Sequence, residues 1–188
     1  MLSAREAATS LYGAYRLARF DARGMTCFET SLAGFWRSFF AAVIVAPVFA
    51  VLLAMRYAAG GVAVDGVRFA AVQSIAYVIA WVAFPLVMVT VARLLKREER
   101  YLGYIVAYNW ASVLQNGLYL PLVMAGVAGV IPAEAAGPVS LIALSLILVY
   151  GWFIAKVALD VGAVTAVGLV ALDLVLSVCI DIVASSML

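Results

Sequence analysis

Two carboxylates sit inside a run of sequence that is otherwise apolar. Asp173 and Asp181 fall within 163–187, and with Thr165, Ser177 and Ser185 they are spaced at multiples of four. That spacing puts all five on one slowly turning polar stripe of a helix. Asp173 is ten residues into the run, about 15 Å deep, which is the midplane of a bilayer. A charge there costs at least about 2.5–3.5 kcal/mol, so Asp173 must face protein or water rather than lipid. Asp181 lies about 12 Å further along, near the far interface.

A candidate partner face lies on an earlier run, where Tyr104, Tyr108, Ser112, Gln115, Asn116 and Tyr119 share one side of a helix. Gln115 and Asn116 lie close to the depth of Asp173, about 18–20 Å from the inner end of their run. An amide donates to a carboxylate and accepts from a carboxylic acid, so the pairing suits Asp173 in either protonation state. The candidate intramembrane polar site is therefore Asp173, Ser177, Asp181, Gln115, Asn116 and Tyr108. Three roles are open to it: cementing two helices, binding a proton, cation or polar solute, or facing a partner subunit.

Other chemistry is excluded by what the chain lacks. It has no histidine, and its two cysteines, Cys27 and Cys179, stand at opposite ends. A Ser-His-Asp triad, a zinc site and a disulfide framework are all ruled out, and no cofactor motif is present. A membrane-embedded enzyme would need paired catalytic groups at one depth, which Asp173 and Asp181 do not offer. The 188 residues are 68% hydrophobic and 12% charged, against roughly 45–50% and about 25% in soluble domains. The mean hydropathy of +1.15 agrees. Such a chain cannot clothe a water-facing surface, and its net charge of +2 gives no argument for nucleic acid.

A membrane-crossing helix needs about 20 mostly apolar residues. Five runs qualify, at 39–58, 69–92, 103–130, 139–155 and 163–187. The last two are joined by Lys156 to Gly162, where Asp160 is placed to cap the following helix and Gly162 to ease the turn. Pro47, Pro85 and Pro121 interrupt the first three runs and should kink them. The expected fold is all-α, a polytopic bundle of five transmembrane helices (39–188) behind an N-terminal cytosolic or interfacial amphipathic segment (1–38).

Orientation follows from the bases. Arg5, Arg16, Arg19, Arg23, Arg37, Arg93, Lys96, Arg97, Arg100 and Lys156 fall on one side; Arg56 and Arg68 fall on the other. Ten against two predicts a cytoplasmic N-terminus and a periplasmic C-terminus. In the N-terminal segment Leu11, Ala14, Tyr15 and Ala18 define an apolar face, and Arg16, Arg19 and Arg23 a basic one. With Trp36 in the aromatic stretch that follows, these arginines read as an interfacial anchor on anionic lipid. Preference for Ala, Val, Gly and Arg over Lys, Asn and Ile, with no glycosylation sequon, points to a bacterial inner membrane.

The order of parts is similar to the Yip-domain family of Ypt/Rab-interacting membrane proteins, over Tyr77 to Val183. The stretch ARLLKREERYLGYIVAYNWASV resembles the family's basic connection and tyrosine-bearing third span, with Gly103, Tyr104 and Tyr108 at the matching positions. YGWFIAKVALD then resembles its aromatic-ended fourth span. Asn109 and Trp110 stand where the family often has proline, and its acidic Asp-Leu-Tyr-Gly-Pro segment is absent. The resemblance implies a non-enzymatic protein of membrane trafficking, organisation or assembly, and carries over no catalytic residue.

The expected function is a non-catalytic scaffold or accessory subunit of a membrane complex, in contact with the lipid bilayer and with a membrane-protein partner or further copies of itself. The alternative is a small transporter or channel subunit that uses Asp173 with Gln115 and Asn116.

Overall fold

Ser3 caps the first helix: its hydroxyl accepts the Glu6 N–H at 3.1 Å and starts α1 (Ala4–Ala18). In the computed structural model, which describes residues 2–60 and 64–188, α1 turns back at Phe20 into a 3-10 turn (Ala22–Cys27). Gly13 and Gly24 make that fold-back close, since a Cβ on Gly24 would stand 2.6 Å from the Gly13 carbonyl oxygen. Ser31 then caps a short α2 (Leu32–Ser38), which runs through Phe39 into α3 (Phe40–Ala58). Asp65 caps α4 (Gly66–Leu94) by accepting the N–H groups of Val67 and Arg68. The remaining helices are α5 (Glu98–Val127), α6 (Ala133–Leu159) and α7 (Ala163–Ser186).

All regular structure among the described residues is helical. Four helical stretches are long and apolar enough to cross a membrane: Leu32–Ala58, Gly66–Leu94, Ala133–Leu159 and Ala163–Ser186. α5 is the longest helix at 30 residues, and it is less apolar. Its position explains the difference. It is the central post, packed by α1, α2, α3, α4 and α6, so its polar and aromatic side chains meet protein. Tyr104, Ile105, Val106, Ala107, Asn109, Trp110, Ala111 and Ser112 are buried around it, with Tyr108 between them partly buried. α7 stands outside this post, between α4 and α6.

Tyrosine hydroxyls bind the helices to one another. Tyr77 donates to the Ala42 carbonyl at 2.6 Å, Tyr101 to that of Pro85 at 3.0 Å and Tyr150 to that of Ala14 at 2.7 Å. Pro47 and Pro85 lie inside continuous helices. On the same end of the bundle, Asn109 (0% exposed) donates to the Ser38 hydroxyl at 2.8 Å, which donates to the Phe35 carbonyl at 2.7 Å.

Three expectations need correction. The face of Leu11, Ala14, Tyr15 and Ala18, expected to lie as one on the membrane, is divided: α1 seats on Ser10, Gly13, Ala14 and Leu17 against the bundle, leaving Tyr15 50% exposed and Ala18 exposed. The small residues permit the closer approach, and the face rotates toward them. Asp160 does not cap α7. It closes α6 in the left-handed conformation (φ 51°), pairing with Arg100 at 3.3 Å, and its carbonyl accepts from Arg97. Gly162 precedes α7 with an ordinary φ of −63°, so its special freedom is not used.

Candidate functional site

The site is built from α5 and α7. Tyr108 and Asp173 are each ten residues from the start of their helix, at Glu98 and Ala163, which sets them at one depth. The Tyr108 hydroxyl donates to Asp173 Oδ1 at 2.9 Å. Phe84 of α4 lies across the Tyr108 ring, centroids 4.8 Å apart, and meets Tyr104 edge-on at 6.2 Å. Phe84, Met88 and Tyr104 are buried, so the hydrogen bond lies against an apolar and aromatic wall. A phenol and a carboxylate so arranged can share a proton or bind two helices together, and the aromatic wall on one side strengthens the bond by lowering the local dielectric.

The amides predicted to hold Asp173 do not. Asn116 donates to its own helix, at the Ser112 carbonyl (2.8 Å), and Gln115 is half-buried with no hydrogen bond to a described residue. The cause is a register error. α5 begins at Glu98, five residues before the sequence boundary at Gly103, so the residue level with Asp173 is Tyr108. Ser177 and Asp181 do not join the site either. The buried face of α7 runs through Ala166 and Leu169 to Ala184, with Asp173 and Leu176 on its line. Each step of four residues turns the stripe by about 40°, so Ser177, Asp181 and Ser185 drift onto the exposed side.

The N-terminal arginines form a separate cluster. Arg16 grips Asp21 Oδ2 through Nε at 2.8 Å and Nη2 at 2.5 Å, and Arg23 reaches Asp21 Oδ1 at 3.1 Å. The Arg16 guanidinium chiefly holds the Asp21 carboxyl down at about 2, below the usual carboxylate range. Arg19 lies over the Tyr15 ring at 5.9 Å, and Trp36 is exposed on α2, edge-on to Phe35 at 5.2 Å.

Residues passed over by sequence reasoning are Asn109, Ser38 and Phe84. An asparagine deep in a long helix was the available signal for the first. Nothing in the sequence marks Phe84 out from other aromatic residues. Among the described residues no three of His, Cys, Asp or Glu come together to hold a metal ion. No family model, no curated protein and no solved structure matches this chain.

Proposed function

We propose that this chain is a non-catalytic integral membrane protein that acts as a scaffold or accessory subunit of a membrane complex. Ser177 carries the reading, with Asp181 and Ser185 continuing its face toward the far interface. Ser177 lies at hydrocarbon depth on the exposed face of a 24-residue apolar helix, where lipid offers no hydrogen bond and its own bundle does not cover it. A neighbouring membrane protein would supply the missing partners. In this reading α5 is a fifth span, shielded from lipid by the other helices, and its 30 residues reach about 45 Å. The ten-to-two division of bases supports an N-terminus in the cytoplasm and a C-terminus in the periplasm, and the composition a bacterial inner membrane. A Yip-like role in membrane organisation rests on the sequence resemblance alone.

Polymer extraction from native membranes, followed by sizing and mass spectrometry, tests the subunit reading. A stoichiometric partner is expected, and the Ser177→Leu/Asp181→Leu variant should remain folded and lose it. A wild-type protein that migrates alone or only with copies of itself ends the subunit reading.

The Tyr108–Asp173 bond favours a second reading, a small transporter or channel subunit with a proton, cation or polar solute held at Asp173. Asp173→Asn separates the two. The amide is nearly isosteric and its oxygen still accepts from Tyr108, so a scaffold should keep its stability to within about 0.5 kcal/mol. Asp173→Leu orphans the phenol and should cost about 1 kcal/mol by denaturation in detergent. If Asp173→Asn instead abolishes an ion or solute flux that the wild type shows in liposomes, the transporter reading replaces the scaffold.

A further inference from the structure

Three guanidiniums and one carboxylate line an open cavity of about 480 Å³ on the outer side of α1, walled by Tyr12, Tyr15, Arg16, Arg19, Asp21 and Arg23. The charge inside it is not balanced. Asp21 answers Arg16 and also touches Arg23, which remains 82% exposed along its side chain. Asp21 is the one acid that lines it, and Glu6 and Asp160 are paired elsewhere, with Arg37 at 2.7 Å and with Arg100. Arg19 has only the Tyr15 hydroxyl at 3.4 Å. The cavity therefore carries an excess of positive charge, with Asp21 holding Arg16 in place, Arg23 touching Asp21 through Nε alone, and the terminal nitrogens of Arg19 and Arg23 turned to the outside.

Its depth says which anion. The Ala14 carbonyl receives the Tyr150 hydroxyl, and Phe20 packs edge-on to Phe153 at 5.1 Å. Those α6 residues stand nine and six positions before the helix end at Leu159. That is about 9–14 Å below the end of a helix about 40 Å long, a length that matches a bilayer with its headgroups. α1 is thus seated at the acyl boundary, just inside a headgroup layer about 5–7 Å thick, where the exposed rings of Tyr12, Tyr15 and Phe20 suit it and from which the long side chains of Arg19 and Arg23 reach up to the phosphates. We propose that this cavity binds the phosphate of an anionic phospholipid headgroup, with Arg19 and Arg23 as the recognising groups. The proposal rests on the bundle spanning a bilayer with its basic end at one interface, and is independent of the subunit reading.

Native mass spectrometry of the full chain, titrated with phosphatidylglycerol and with phosphatidylcholine, is the test. Phosphatidylglycerol should bind more tightly than phosphatidylcholine. Arg19→Gln/Arg23→Gln should weaken phosphatidylglycerol by about tenfold or more, with an unchanged melting curve because both side chains are exposed. Arg93→Gln/Lys96→Gln removes the same charge from the same end of the bundle and should change binding by less than about twofold. Equal losses in the two variants would reduce the effect to a general positive field and overturn the site. So would displacement of the lipid by inorganic phosphate but not by chloride at equal ionic strength, which would make the cavity a receptor for soluble phosphate.

Discussion

Gly34→Ala should lower the stability of the protein by about 3 kcal/mol, the largest loss expected from adding one methyl group at any glycine among the described residues. A Cβ at Gly34 would overlap the carbonyl oxygen of Glu29 and stand 2.8 Å from that residue's carbonyl carbon. The chain enters α2 by passing directly over Gly34, whose N–H is held by the Ser31 hydroxyl at 3.1 Å. Backbone on one side and a capped helix on the other leave no side chain to rotate away. Relief requires moving residues 29–31, and Thr30 is seated against Gly103 of α5. Far-UV circular dichroism should stay close to wild type, because α3 to α7 do not depend on this crossing, while the thermal midpoint falls by several degrees. Gly103→Ala is the matched control: its Cβ would meet only the Thr30 methyl, at 3.2 Å, and that side chain can shift. Equal melting curves for Gly34→Ala and wild type would disprove the crossing.

Trp110→Ala is expected to cost about 3–5 kcal/mol. Trp110 is 2% exposed and lies on the central post, in the cluster that joins α1, α4, α5, α6 and α7. Removing the indole leaves a void that α5 cannot close, since it is packed by helices on nearly every side. In a membrane the loss is mainly of dispersion contacts, because lipid is as apolar as the protein interior. Trp36→Ala removes the same side chain from a position 66% exposed and should change stability by less than about 0.5 kcal/mol. Denaturant titration in detergent micelles reads both. A Trp110 variant as stable as the Trp36 variant would contradict the central placement of α5.

The helices themselves were plain in the sequence. Four of the five apolar runs lie within helices long and apolar enough to cross a membrane, and the remaining run, 103–130, lies mostly within α5. Their ends were less plain. α5 starts at Glu98 and α6 at Ala133, both earlier than hydropathy placed them, because charged and small residues can continue a helix beyond its apolar part. That five-residue slip on α5 was enough to assign Gln115 and Asn116 to Asp173 in place of Tyr108.

What the amino-acid order determined by itself is the kind of molecule and the one-sidedness of its basic charge. An apolar run of sufficient length must be a helix in lipid, because every backbone group has to be satisfied within the segment, and that needs no knowledge of neighbours. The one-sided distribution of bases is likewise a property of the chain alone. The tertiary structure decided which polar groups meet. α5 became the interior post and α7 an outer helix; α1 seated on Gly13 and Ala14 against the bundle; Asp173 met a phenol, and Arg16 met Asp21. Those outcomes depend on rotation about each helix axis and on register along it, where a shift of one residue turns a side chain by about 100°. Hydropathy constrains neither quantity to that degree. Both are chosen by close packing between helices.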